Sequence, residues 1–191
     1  MNKTIENVAK AFVGESQARN RYTMYASVAR KEGYEQIAEV FLTTADQERQ
    51  HASQLLKWLA KVKGKGELGP IMVEAEVPVA YGKTTENLRA AIAGENYEHT
   101  SMYPEFAATA DAEGHHDIAD RMRAISKAEE HHEQRYMKLL NAVESGFFKK
   151  EKAAWWVCRE CGYMHFGIEP PEVCPSCDHP KAFYQKLCEE Y

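Results

Sequence analysis

Apolar residues recur at steps of three and four along four long stretches that fill roughly the first 145 residues. The first stretch, about 4–32, lines up Ile5, Val8, Phe12, Tyr22, Ala26 and Ala29, and the second, about 35–62, lines up Ile37, Phe41, Leu55 and Leu59. Leu88, Ile92, Met102 and Phe106 mark the third, about 85–112, and Ile118, Met122, Ile125, Tyr136 and Leu139 mark the fourth, about 115–144. This period predicts four amphipathic helices. Gly33 and Gly114 punctuate the first and second pairs, so each pair is expected to be an antiparallel hairpin. The stretch KGKGELGPIMVEAEVPVAYGK (63–83) is too rich in Gly and Pro for a helix. A helix of about 28 residues is roughly 40 Å long, and about 20 extended residues span that distance. The pattern therefore predicts a mainly α four-helix bundle with one long crossover.

The two hairpins repeat each other. GESQARNRY, KEGYEQIAEVF and ADQERQH align with GENYEHTSMY, AEGHHDIADRM and AEEHHEQRY. The offset is 80 at Glu15/Glu95 but 81 at Gly33/Gly114, Glu48/Glu129 and His51/His132, so one extra residue lies between 95 and 114. A single insertion inside a helix is most simply absorbed as a π-bulge, and Pro104 is a candidate to help place it.

Each apolar stripe is interrupted at one level. There the first helix carries Glu15, the second Glu48 and His51, the third Glu95 and Glu98, and the fourth Glu129 and His132. Five carboxylates on inward faces cost several kcal/mol apiece unless something compensates them. One Glu from each of two helices plus Glu-x-x-His from the other two is the ligand layout of ferritin-like di-iron and di-manganese proteins. Glutamates on helices are usually solvated, and Glu113 with His116 forms a decoy Glu-x-x-His broken by Gly114, so the motif carries weight only as a set of four helices. Carboxylate-rich ligation with one imidazole per metal suits iron or manganese better than zinc or cuprous copper. His99, His115, His116 and His131 read as surface or turn residues. Tyr22 and Tyr103 stand near the metal level, where a hydroxyl either bonds a ligand or bound oxygen species or satisfies itself.

All five cysteines follow residue 157. CRECGYMHFGIEPPEVCPSC (158–177) holds two Cys-x-x-Cys pairs, Cys158/Cys161 and Cys174/Cys177, with the spacing of a tetrahedral four-thiolate site for zinc or a single iron. So small a module has too little core to fold unaided. Cys188 is left over as a free thiol, and His165 and His179 are not needed as ligands. The net charge is −5, without a run of Lys or Arg, which argues against nucleic acid as a partner. No apolar run approaches a membrane span and no signal peptide is visible, so a reducing, cytoplasmic setting is expected. Neither a dinucleotide fingerprint nor a P-loop is present, so the chain is not expected to bind a nicotinamide dinucleotide itself.

Taken together, the bundle motifs Glu15, Glu48-x-x-His51, Glu95-x-x-Glu98 and Glu129-x-x-His132, followed by CRECGY and CPSC, resemble the rubrerythrin family over nearly the whole chain. The resemblance implies a ferritin-like bundle over 1–146, a linker over 147–152 and a rubredoxin-like Fe(SCys)4 domain over 153–191. It implies two irons in a carboxylate-bridged site, and iron rather than zinc at Cys158, Cys161, Cys174 and Cys177. It further implies a cytoplasmic non-haem peroxidase of an anaerobic or microaerophilic prokaryote, reducing hydrogen peroxide to water in defence against oxidative stress. Rubredoxin or an NAD(P)H-dependent reductase would supply electrons, and the subunits would pair head to tail, the FeS4 domain of one serving the di-iron site of the other. Tyr22 and Tyr103 fall where the family places tyrosines beside the di-iron site. Glu98 has no counterpart in the first hairpin, where Ala18 stands. By resemblance it exchanges with His51 on one iron as the pair is reduced, which makes Glu98, His51, Tyr22 and Tyr103 the catalytic candidates. The alternative is a ferroxidase or iron-storage protein. Cys188 and the CEEY tail are the least family-like features.

Overall fold

Asn2 starts the first helix, its side-chain oxygen accepting the Thr4 N–H at 2.8 Å. The computed structural model describes residues 2–63 and 69–189; part of the predicted crossover (64–68) and the last two residues of the tail lie outside the described residues. Helix α1 spans Lys3–Lys31 and α2 spans Glu35–Lys63, each 29 residues. Between them Gly33 takes φ +82°, its N–H reaching the Arg30 carbonyl at 3.0 Å and the Tyr34 N–H reaching that of Ala29 at 2.8 Å. This αL closure of a helix end suits Gly, which has no Cβ to clash. Gly114 (φ +81°) repeats it before α5, His116–Glu144. The decoy residue Glu113 serves the fold instead. Its carboxylate accepts the N–H groups of Lys3 and Thr4 and the Thr4 hydroxyl, fastening the start of α1 to the second hairpin.

The third rod of the bundle is α3 (Thr84–Tyr97), a π-helical turn (Glu98–Met102) and α4 (Tyr103–Ala112). The expected extra residue is thus absorbed as a π turn, with the Tyr103 N–H donating to the Glu98 carbonyl five residues back. Pro104 has no N–H to offer this turn. The Ser126 hydroxyl, from α5, donates to the His99 carbonyl instead, at 3.1 Å. From Gly69 the crossover runs without helix or strand; Ile71 and Val73 pack on the bundle, and the Tyr25 hydroxyl donates to the Ala80 carbonyl at 2.8 Å. Asn87 closes its end by pairing with both the N–H and the carbonyl of Gly82.

The bundle core has two apolar parts. One gathers around Val8, Leu55, Leu59, Ile118 and Met122, the other around Tyr25, Ile37, Phe41, Leu88 and Tyr136. On every helix the predicted polar residues fall between the two. No helix among the described residues is long and apolar enough to cross a membrane.

Residues Ala154–Cys158 (β1), Met164–Gly167 (β2) and Tyr184–Lys186 (β3) form an antiparallel sheet of order β2-β1-β3, with Trp155 opposite Phe166 and Trp156 opposite Lys186. Trp156, Cys158, Cys174 and Tyr184 make its small core. The linker joins the two parts through adjacent phenylalanines. Phe147 packs with the bundle core and Phe148 with the small core, and both rings meet Tyr34 at the α1–α2 turn. Arg159 pairs with Glu39 of α2.

Candidate metal centre

Helical spacing brings each Glu-x-x-His pair onto one face, and antiparallel pairing brings the four faces to one level. Six of the seven predicted bundle ligands meet there in two overlapping groups, Glu15, Glu48, His51 and Glu129, and Glu48, Glu95, Glu129 and His132. His51 Nδ1 stands 2.9 Å from Glu129 Oε1, 3.0 Å from Glu48 Oε2 and 3.6 Å from Glu15 Oε2. His132 Nδ1 stands 2.8 Å from Glu129 Oε2, 3.1 Å from Glu48 Oε1 and 3.8 Å from Glu95 Oε2. Glu48 and Glu129 thus each turn one oxygen to either histidine, which is how a carboxylate bridges two cations.

These contacts are not hydrogen bonds. Both oxygens of Glu48 and Glu129, one each of Glu15 and Glu95, and both imidazole Nδ1 atoms are buried without a hydrogen-bond partner. Lone pairs that converge but do not donate to one another suit a cation between them. Ligand bonds of about 2.0–2.2 Å set at right angles put neighbouring donor atoms about 3 Å apart, close to the separations here. The residues therefore fit a di-metal site. Without cations the layer holds protons. Burial, then the charge of Glu129, pushes Glu15 well above the usual carboxylate range, and burial pushes Glu95 up to about 8. Burial opposes charge on His132, but Glu129, Glu48 and Glu95 outweigh it and raise the imidazole to about 12; His51 is raised likewise. Glu48 goes the other way: His132 and His51 overcome its burial and lower it.

The predicted tyrosines touch ligands, not each other. The Tyr22 hydroxyl donates to Glu95 Oε1 at 2.6 Å, and the Tyr103 hydroxyl donates to Glu15 Oε1. The support is reciprocal, since each tyrosine orients the carboxylate of the opposite repeat. Glu15 and Tyr22 are seven residues apart and Glu95 and Tyr103 eight, so the π turn is what returns Tyr103 to the inner face. Glu98 opens that turn and lies outside both ligand groups, while His51 lies inside one.

His99 departs from its expected surface position. It is half-buried in the π turn, its ring nitrogen 2.7 Å from Glu133, whose other oxygen accepts from Asn96 at 2.9 Å. Glu133 so clamps the two residues that flank Tyr97 and Glu98. Asn96 and His99 share a helix face by spacing, but no local pattern links them to Glu133 on α5. His116 and His131 are exposed, as expected.

In the small domain the four predicted cysteines form one cluster with no disulfide. Cys158 and Cys177 Sγ are 3.7 Å apart and Cys161 and Cys174 Sγ 3.6 Å, far beyond the roughly 2.05 Å of a disulfide. Tetrahedral bonds of about 2.3 Å put sulfurs about 3.8 Å apart, so the cluster fits one metal ion. Each pair sits in the same knuckle: Cys158 N–H donates to Tyr163 and Gly162 N–H returns to Cys158, as Cys174 N–H donates to His179 and Asp178 N–H returns to Cys174. Gly162 (φ +77°) and Asp178 (φ +59°) hold equivalent left-handed positions.

Known proteins agree with both halves. The family model "Rubrerythrin" matches residues 6–140, and "Rubrerythrin, rubredoxin-like domain" matches residues 156–185. A relative from Methanocaldococcus jannaschii is 53% identical, over 100% of this chain and 96% of its own. The rubrerythrin of Porphyromonas gingivalis is 47% identical, over 100% of this chain and 92% of its own. Among solved structures, fully reduced, all-ferrous nigerythrin superimposes with a TM-score of 0.64 at 33% identity, covering 96% of this chain and 86% of that one.

Proposed function

The chain belongs to the rubrerythrin family, and on that premise we propose that it is a non-haem peroxidase that reduces hydrogen peroxide to water. One observation carries the reading: a carboxylate layer whose donors fit two cations and a four-thiolate cluster stand in a single chain. The carboxylate and imidazole donors suit iron in the layer, and the thiolates suit a single iron in the small domain. When bound, an iron pair supplies two electrons to the peroxide O–O bond, and an FeS4 centre passes electrons singly.

The residues divide the remaining work. Glu48 and Glu129 would serve both cations, and Glu15 and Glu95 one each. Tyr22 and Tyr103 fix those two carboxylates and retain their protons, because burial, then the nearby carboxylates, holds both phenols well above their usual range. Glu98 and His51 would be alternative ligands on the Glu15 side of the layer, a carboxylate suiting a ferric ion and a neutral imidazole a ferrous one.

The cysteine domain (153–191), joined by the 147–152 linker to the bundle domain (1–146), feeds electrons from an external donor, either rubredoxin or an NAD(P)H-dependent reductase. The subunits pair head to tail as a cytoplasmic homodimer; the exposed Trp155, Phe166 and Ile168 on the small domain support such an association. A mixed dimer, with one subunit altered at Glu129 and the other at Cys174, tests the pairing: activity above either parent dimer supports transfer between subunits, and none refutes it.

A ferroxidase would use the same layer but needs no electron feed. Steady-state peroxide consumption by the iron-loaded protein, with reduced rubredoxin as donor, separates the two. Donor oxidation coupled to peroxide loss, abolished by Cys174→Ser, is expected. Iron oxidation without coupled turnover would replace the peroxidase with the ferroxidase.

A further inference from the structure

A groove of about 300 Å³ runs between α1, the crossover and the third rod of the bundle. Its lining includes Gly14, Gly94, Pro78, Met102, Phe106 and Glu98. Glu98 is where the groove meets the polar layer. It is 9% exposed, whereas Glu15, Glu48, Glu95 and Glu129 are at most 1% exposed.

The two glycines explain how the groove stays open. Among the described residues they are the only glycines inside helices, and each immediately precedes a repeat-related glutamate, Glu15 or Glu95. Gly weakens a helix relative to Ala, so it needs a reason. Neither has a positive φ, and a Cβ built at either would meet nothing within 4 Å. Close packing and backbone strain are therefore not the reason. What remains is the open volume itself. A side chain at either position projects into the groove on the path to Glu98.

We infer that this groove is the route by which peroxide reaches the Glu98 edge of the metal layer, with Gly14 and Gly94 setting the size of molecule admitted. The inference rests on the peroxidase reading. Hydrogen peroxide passes freely, and a branched alkyl hydroperoxide is held back by any side chain added at the two glycines.

The test compares wild type with Gly94→Ala, Gly94→Leu and Gly14→Leu, each iron-loaded, with metal content and melting temperature checked. Reoxidation of the reduced proteins is timed with hydrogen peroxide and with tert-butyl hydroperoxide, and azide association with the oxidised proteins is timed by absorbance. Each Leu variant should slow hydrogen peroxide and azide at least tenfold at unchanged metal content. Gly94→Ala should melt higher, leave hydrogen peroxide within about twofold and slow tert-butyl hydroperoxide several-fold. Should a Leu variant not fold, the selective loss in Gly94→Ala decides the matter. Unchanged rates in a folded, loaded Leu variant, with or without an altered oligomeric state, would overturn the inference. If wild type consumes no peroxide yet azide association slows in the Leu variants, the route stands and the peroxidase reading falls.

Discussion

Tyr22→Phe removes one hydroxyl from the metal layer with almost no change in volume. That hydroxyl is buried and donates to Glu95 Oε1 at 2.6 Å, while the other Glu95 oxygen faces His132. Phe leaves a dry, charged acceptor unpaired. A hydrogen bond to a charged group contributes about 1.5–3 kcal/mol. At about 1.4 kcal/mol per factor of ten, this is roughly a 10- to 150-fold loss, in line with the 10–100-fold typical of residues that hold metal ligands in place. Only the cation of the Glu48, Glu95, Glu129 and His132 group should suffer, because Glu15 keeps its bond from Tyr103. Anaerobic ferrous titration against a chromogenic chelator should therefore show one affinity near wild type and one weakened. Tyr25→Phe is the control: its hydroxyl makes a part-buried bond to the Ala80 carbonyl, away from the metal layer, so its loss should cost about 1 kcal/mol of stability and no metal affinity. If Tyr22→Phe binds both cations within about twofold of wild type, or no worse than Tyr25→Phe, the tyrosines do not hold the ligand carboxylates in place.

Glu98→Ala should retain both bundle irons, because Glu98 stands outside both ligand groups, yet slow peroxide turnover at least about tenfold; wild-type rates would show that exchange with His51 is dispensable. The metal-free protein should lose stability as pH rises from about 5 to 8, since Glu15, Glu95 and both histidines bind protons more tightly folded than unfolded, while metal binding should strengthen over the same range. Calorimetry with and without metal should thus show a gap in melting temperature that widens with pH. Gly162→Ala should destabilise the cysteine domain by about 1–2 kcal/mol, read as a lower melting temperature, and Gly162→Asn by less, because Asp178 already tolerates the equivalent position.

The helical architecture and the ligand level were legible because both rest on local periods. Steps of three and four place Glu48 over His51 and Glu129 over His132 whatever the helices pack against. Even the π turn could be read, since a one-residue change in repeat offset has to be absorbed somewhere between Glu95 and Gly114. Relations between distant helices were not legible. That Tyr22 bonds Glu95 while Tyr103 bonds Glu15 depends on the rotation of each rod, and nothing near Ser126 announces that it fills the carbonyl of His99. Gly14 and Gly94 read as ordinary weak points in helices until the space beside them is seen.

The proposed peroxidase consumes peroxide at the carboxylate layer with electrons drawn from the cysteine cluster. This is tested most directly by mixing fully reduced, iron-loaded protein with hydrogen peroxide in the absence of any donor and following the visible colour of the oxidised FeS4 centre. The colour should return at a rate that rises with peroxide, and Glu129→Ala, which removes a bridging ligand but leaves the cysteines intact, should prevent it. Return of the colour at an equal rate in Glu129→Ala, or none in the wild type, would contradict the claim.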